Sequence, residues 1–295
     1  MEFSQQLMQQ LINGISLGSI YALIALGYTM IYGIIKLINF AHGDIYMVGA
    51  YVGFFAITQA NVSILPALLI SMVVTGLLGM LVEKLAYKPL RHAPRISILI
   101  TAIGVSFYLE YARMYFVSPT PRTFPEVMGN VAFHVGDLVI NGQQLLILGI
   151  TVVLMVILTY IVQRTKLGKA MRAASFDTET AQLMGVNADQ VISFTFIIGS
   201  ALAAVAGVLV GVYYNSIDPL MGIMPGLKAF VAAVLGGIGI LPGAVVGGLV
   251  LGVIEALVSG FISSTFRDAA AFAILILVLL FKPSGLFGKN TNEKV

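Results

Sequence analysis

The chain has 295 residues, of which 59% are hydrophobic and only 10% charged, with a formal net charge of +3. Soluble domains carry roughly 25% charged residues, so this composition cannot clothe a soluble enzyme, a nucleic-acid-binding domain or a disordered chain. Long apolar runs broken by short polar ones predict an all-α polytopic transmembrane helix bundle rather than a barrel. Cysteine is absent, which excludes disulfides, thiolate metal sites and a cysteine nucleophile. The histidines, His42, His92 and His134, are too few and too scattered for paired haem ligation. No metal and no nucleic acid is expected as a partner; the lipid bilayer is.

In chain order, the first apolar run covers 8–35. The segment before it, Met1-Glu-Phe-Ser-Gln-Gln6, lacks a basic region, and no small-residue cleavage site follows a short apolar core. The run therefore reads as a retained span rather than a signal peptide. Asn39-Phe-Ala-His42-Gly43-Asp44 then interrupts the apolar pattern. It is either a cytoplasmic turn with His42 and Asp44 in water, or a re-entrant element beside a translocation path or facing a partner. His42 and Asp44 have no third ligand nearby for a metal.

Runs at 45–60, 64–84 and 96–117 follow. Glu110 and Arg113, three apart, are placed to pair on one helix face. Segment 118–143 holds Pro119, Pro121, Pro125, Gly129, Gly136, Asp137, Asn141 and Gly142. It predicts an irregular outer loop with a short hairpin. After a run at 144–163 comes the other long polar segment, 164–190. Within it, Arg172, Asp177, Glu179, Ala181, Leu183, Met184 and Gly185 fit a short amphipathic helix closed by a glycine. Leu183 and Met184 then either enter a groove on a partner or rest on the membrane surface.

The remaining apolar runs are 191–214, 226–240, 243–262 and 268–282. The run at 226–240 is short and glycine-rich, as a broken or re-entrant helix would be. About eight to nine spans are expected, in one membrane domain covering 1–295. Lys228 and Glu255 are expected to pair across two helices, since intramembrane charges need partners. Tyr21, Tyr28, Asn39, His42, Gly43, Asp44 and Asn215 are candidates for a polar path or gate, although membrane tyrosines also gather at the interface.

Basic residues cluster at Lys36, at Lys84, Lys88, Arg91 and Arg95, at Arg164, Lys166, Lys169 and Arg172, and at Lys282, Lys289 and Lys294. The opposite side keeps Arg113, Arg122, Lys228 and Arg267. This asymmetry places the first group and the C-terminus in the cytoplasm. Glycines recur four apart at Gly14/Gly18, Gly49/Gly53, Gly207/Gly211, Gly239/Gly243/Gly247 and Gly248/Gly252, a spacing that lets helix backbones approach. His42-Gly43 and Pro242-Gly243 each open a glycine-rich run, a faint echo of an inverted repeat with broken helices.

A phosphate-binding loop requires adjacent Gly-Lys, and Gly226-Leu-Lys228 fails that pattern. Gly237-Ile-Gly239 sits among apolar spans, without the strand–helix context of a dinucleotide site. Any ATP chemistry belongs to another subunit, and no cofactor is expected in this chain.

Glu179-Thr-Ala181-x-x-x-Gly185 resembles the Glu-Ala-Ala-x-x-x-Gly loop of ABC importer permeases, with Thr180 replacing an alanine. Asn13-Gly-Ile-Ser-Leu-Gly-Ser-Ile-Tyr-Ala-Leu-Ile-Ala-Leu-Gly-Tyr-Thr-Met-Ile-Tyr-Gly33 and Ile38-Asn-Phe-Ala-His-Gly-Asp-Ile-Tyr-Met47 resemble the start of branched-chain amino-acid ABC permeases of the LivH type. Ala170-Met-Arg-Ala-Ala174, Met184-Gly-Val-Asn187 and Ala233-Val-Leu-Gly-Gly-Ile-Gly-Ile-Leu-Pro-Gly-Ala244 look like later parts of the same family. The resemblance implies a permease subunit in the bacterial inner membrane, working with a second homologous permease, two cytoplasmic ATPases that hold ATP and Mg, and a periplasmic amino-acid-binding protein. It implies that 172–187 couples to the ATPase. Urea, short amides or another amino acid are alternative cargoes, and an ion-coupled secondary transporter or a channel is the alternative mechanism.

Overall fold

The computed structural model describes residues 3–91, 93–129, 131–135 and 138–288. His92, Gly136, Asp137, Lys289 and Lys294 lie outside the described residues. Each of the apolar runs forms a helix. They are α1 (Phe3–Ile35), α2 (His42–Thr58), α3 (Ile64–Val82), α4 (Arg95–Phe116), α5 (Gly142–Arg164), α8 (Ala188–Tyr214), α9 (Ile223–Gly236), α10 (Leu241–Phe261) and α11 (Arg267–Phe281). Between α5 and α8 lie α6 (Lys166–Phe176) and α7 (Thr178–Leu183). A π-helical turn, Glu83–Tyr87, and a 3-10 turn, Lys88–Leu90, continue α3.

Among the described residues, 7 of these helical stretches are long and apolar enough to cross a membrane. The chain is a multi-pass membrane protein. Two of the expected spans are shorter than that. The 14 residues of α9 cover about 21 Å, as the glycine-rich run suggested. The 17 residues of α2 cover about 26 Å, against roughly 30 Å of hydrocarbon. A span was expected for the second run, and the helix formed there is slightly shorter than the hydrocarbon is thick. Its helix starts earlier than the apolar run, at His42, because His42 and Asp44 are buried rather than in water.

The two ends of the bundle are easily told apart. At one, the basic end, Arg91 from the α3–α4 connection pairs with Asp189 at the start of α8. At the other, the far end, the N-terminal turns of α1 meet the last turn of α10 and a strand, through Gln6 to Gly260 and Gln9 to Val139. The far end also carries the only strands among the described residues. β1 (Arg122–Thr123) pairs with β4 (Ser216–Ile217), and β2 (Ala132–Val135) with β3 (Leu138–Asn141), both antiparallel. The expected hairpin of 118–143 is the second pair.

The central helices are α1 and α8, whose apolar windows are 89% and 83% buried, against 6% in the last span. They run in opposite directions. Around them the order of a long, a short and a long helix followed by an outer helix occurs twice, as α1–α4 and α8–α11, with a 3-10 turn, Ser264–Phe266, extending α11 to an 18-residue stretch. The packing repeats with it: α1 packs most extensively on α10 and α3 on α8, while α2 leans on α8 and α9 on α1. This is an inverted repeat, but not the one the sequence echo suggested. The counterpart of α2 by order is α9, whereas Pro242-Gly243 opens α10.

The glycine spacing serves these crossings. A Cβ on Gly18 would sit 2.7 Å from Leu249 Cα, and one on Gly49 would sit 2.4 Å from Ala204 Cα. Only glycine lets these backbones approach. Gly239 is an exception to the helical reading, since it lies in the turn before α10 with φ 93.

Candidate functional site

The polar loop at the basic end is two helices rather than one. α6 ends at Phe176, and Asp177 then caps α7. Its carboxylate accepts from the amides of Glu179 at 3.0 Å and Thr180 at 3.1 Å. The Thr180 hydroxyl and these amides hold the Asp177 carboxyl below its ordinary pKa. The C-terminus of α7 closes as a Schellman turn. Val186 N–H donates to Ala181 O at 3.0 Å and Gly185 N–H to Gln182 O at 2.9 Å, with Gly185 at φ +87.

Ala181 is buried against the bundle while Glu179 faces outward. Leu183 and Met184 are 87% and 82% exposed, and Phe176 reaches 96%. Arg172 bonds the Val162 carbonyl at the end of α5, so it fixes α6 to the bundle. The result is a rigidly capped hook presenting three large apolar side chains. Sequence reasoning found Leu183 and Met184 and missed Phe176, which the helix break at Asp177 brings onto the same protrusion.

A second constellation lies deep in the bundle, where α2 and α9 begin. Gly43 and Gly222 meet there: a Cβ on either would lie 2.4 Å from the other's carbonyl oxygen. Around this contact are Tyr28, edge-on to His42 with ring centroids 4.6 Å apart, and Asn39, whose side-chain oxygen accepts from Tyr87 at 2.7 Å. Asp44 accepts from Ser106 of α4. Among the described residues, Asn39 Nδ2 and the Tyr46 hydroxyl lack hydrogen-bond partners. Each such buried group costs about 1–3 kcal/mol, so their retention at a helix break marks a place with spare polar capacity. The burial of Asn39, His42 and Asp44 is at odds with the solvated-turn reading of 39–44. Tyr87 and Ser106 were not legible, because they come from distant helices.

Asn215 lies elsewhere. It caps α8 at the far end in a left-handed conformation, exposed, and its carbonyl accepts from Phe124 N at 3.0 Å. Glu110 and Arg113 do not pair as their spacing suggested. Arg113 sits over the Tyr51 ring at 3.7 Å and bonds the Ser118 carbonyl, while Glu110 turns to Asp44.

The third constellation is ionic. Lys228 Nζ lies 3.1 Å from Glu255, which is fully buried. Glu255 also takes Arg267 Nε at 2.8 Å and the Tyr21 hydroxyl at 3.0 Å. Tyr21 thus holds a carboxylate rather than facing an open path. Arg267, absent from the sequence-level pairing, is the second cation that this carboxylate needs.

Residues 10–281 match the family described as "Branched-chain amino acid transport system / permease component". The chain belongs to this family of permeases. A relative named "High-affinity branched-chain amino acid transport system permease protein BraD", from Pseudomonas aeruginosa, is 45% identical over 98% of this chain and 98% of its own. "High-affinity branched-chain amino acid transport system permease protein LivH" of Escherichia coli (strain K12) is 43% identical, over 98% of this chain and 97% of its own. A protein of Methanocaldococcus jannaschii, "Probable branched-chain amino acid transport permease protein LivH", is 28% identical over 93% of this chain and 90% of its own. In this permease, then, the capped hook, the helix-break cluster and the buried ion pairs all fall within the matched region.

Proposed function

We propose that the chain is the membrane-spanning permease subunit of an ATP-driven ABC importer, translocating leucine, isoleucine and valine. The amino acid arrives on a periplasmic binding protein. What carries the reading is the full-length similarity to permeases whose names specify high-affinity branched-chain amino acid transport. ATP and Mg bind in two cytoplasmic ATPase subunits, and a second homologous permease completes the membrane portion.

The basic end faces the cytoplasm of a bacterial inner membrane, because cations are retained on that side. The C-terminus lies there, and the strands of the far end face the binding protein. The hook formed by Phe176, Leu183, Met184 and Gly185 inserts into the ATPase, and Asp177 and Glu179 set its geometry and charge. The cluster of Tyr28, Asn39, His42, Gly43 and Asp44 lines the path when the bundle opens. Each partner drives transport only by preferring one state of the bundle.

The test is ATP-dependent uptake of radiolabelled leucine by the assembled importer in proteoliposomes. Gly185→Asp and Glu179→Lys are expected to abolish uptake while the chain still inserts and assembles with its second permease. Normal uptake by both variants would refute the coupling role. Uptake of urea or short amides but not leucine would replace the cargo.

A further inference from the structure

Helices α5 and α10 each pack against α1 but barely touch one another. Between them, at the basic end, runs an open groove of about 570 Å³. Leu26 of α1 is its floor, Met155 and Thr159 of α5 form one wall, and Val245 and Val246 of α10 form the other. The α5 wall runs from Met155 to Gln163, about 12 Å along the helix. The mean cross-section is therefore about 48 Å², whereas a helix 10 Å across needs about 79 Å². The groove admits acyl chains but cannot seat a transmembrane helix. The outward face of α5 beside it is bulky, with Val152, Val156 and Tyr160 exposed. It lacks the small residues at which the helices of this bundle meet.

The mouth of the groove is cationic. Arg172 lines it, and the Val162 carbonyl occupies only one of the five donors on that guanidinium. Arg164 at the end of α5, and Lys166 and Lys169 earlier in α6, add charge at the same end. Among the described residues, none of these four cations has a carboxylate partner. The other basic cluster differs: Arg91 binds Glu83 and Asp189, and Lys88 lies 2.6 Å from Asp189. A narrower recess of about 80 Å³ shares Arg172 with the groove and reaches Thr29 of α1. Thr29 is fully buried, and its hydroxyl has no hydrogen-bond partner among the described residues. A basic pocket between membrane helices, opening onto an apolar cleft, has the chemistry of an anionic lipid site.

We propose that the groove between α5 and α10 binds an anionic phospholipid. Arg172 holds the phosphate with its remaining donors, Thr29 gives its hydroxyl to an ester oxygen, and the acyl chains lie between the two helices. Phosphate and ester oxygens only accept hydrogen bonds, which matches the donors that Arg172 and Thr29 offer. Arg172 also ties α6 to α5, so a bound headgroup braces the base of the hook. The site needs only that the chain lie in a bilayer, and it stands apart from the transport reading above.

The chain contains no tryptophan, so an introduced one reports its own surroundings. Thr159→Trp places the reporter on the groove wall, and Val73→Trp places it on the outward face of α3, where Val73 is 63% exposed. The full chain, with the subunits that accompany it, is reconstituted in phosphatidylcholine vesicles. These contain brominated phosphatidylglycerol or, in parallel, brominated phosphatidylcholine. Quenching of the reporter gives the relative affinity of the two lipids at each position. A single surface cation favours anionic lipid about fivefold. Phosphatidylglycerol should therefore be preferred about fivefold or more at the Thr159 reporter, with no preference at the Val73 reporter. Arg172→Gln should abolish the groove preference. Where that variant fails to fold, Val245→Phe narrows the groove with every charge in place, and must lower the preference too. Equal preference at the two reporters overturns the proposal. Quenching of the Thr159 reporter by neither lipid would mean that protein fills the groove, and overturns it as well. So does a groove preference that survives the substitution at Arg172 or at Val245.

Discussion

Phe176 gives the sharpest test of the hook. Its side chain is 96% exposed, so within the isolated permease it contributes almost nothing to folding. Truncation to alanine is expected to leave thermal unfolding of the detergent-solubilised chain unchanged. Once seated in an ATPase groove, the same ring would be buried, and burying a phenylalanine is worth about 1.5–3 kcal/mol. At 1.4 kcal/mol per tenfold, Phe176→Ala should weaken ATPase binding about 10- to 150-fold. The chain contains no tryptophan, so Phe176→Trp supplies a lone fluorophore at the contact. Its emission should shift to the blue when purified ATPase is titrated in, and the titration reports affinity directly. A blue-shifted emission in nanodiscs before any ATPase is added would place the ring in the membrane surface instead. Undiminished affinity in Phe176→Ala would refute the docking argument.

Other consequences follow from particular contacts. Gly18→Val forces a side chain into the Leu249 backbone, 2.7 Å from its Cβ position. Overpacking of this kind costs about 1–3 kcal/mol or more, so the melting temperature should fall and the yield of assembled complex with it. Tyr21→Phe removes a hydroxyl that donates to Glu255 at 3.0 Å. Hydrogen bonds to charged groups contribute about 1.5–3 kcal/mol, so thermal stability should drop, and by less than in Lys228→Met, which removes a cation. The Asp177 cap has a depressed pKa, so its stabilisation of α7 is present above the ordinary carboxylate range and lost as pH falls through the lowered value. ATPase binding should therefore show no dependence on this group from about pH 5 to 8. Asp177→Asn should retain most of the cap, and Asp177→Ala should lose it.

Apolar runs of sufficient length locate helices because each must hide its backbone from lipid, and here every such run is helical. What sequence could not supply was depth. His42 and Asp44 look like loop residues because they are polar, yet they open α2 inside the bundle. Burial there comes from the preceding helix α1 and from α4, α8 and α9, which are distant in the chain. The spacing of Glu110 and Arg113 predicts a local pair, but tertiary partners outcompeted it, Tyr51 beneath the guanidinium and Asp44 beside the carboxylate. Lys228 and Glu255 were legible as partners because two charges in adjoining apolar spans have few other choices. Glu83, Arg91 and Asp189 were not, since positive-inside reasoning treats loop cations as solvated. The hook was read as one helix because Asp177 is tolerated in a helix; only its side-chain bonds to Glu179 and Thr180 reveal it as a cap.

The central claim is that this chain is one part of an ATP-driven machine. The direct test is purification of the tagged chain from its native membrane in mild detergent, with mass spectrometry of whatever accompanies it. The account predicts a second permease and ATPase subunits carrying Gly-x-x-x-x-Gly-Lys-Ser/Thr, at fixed stoichiometry, and loss of the ATPases when Gly185→Asp is introduced. Repeated recovery of the folded chain alone would contradict it.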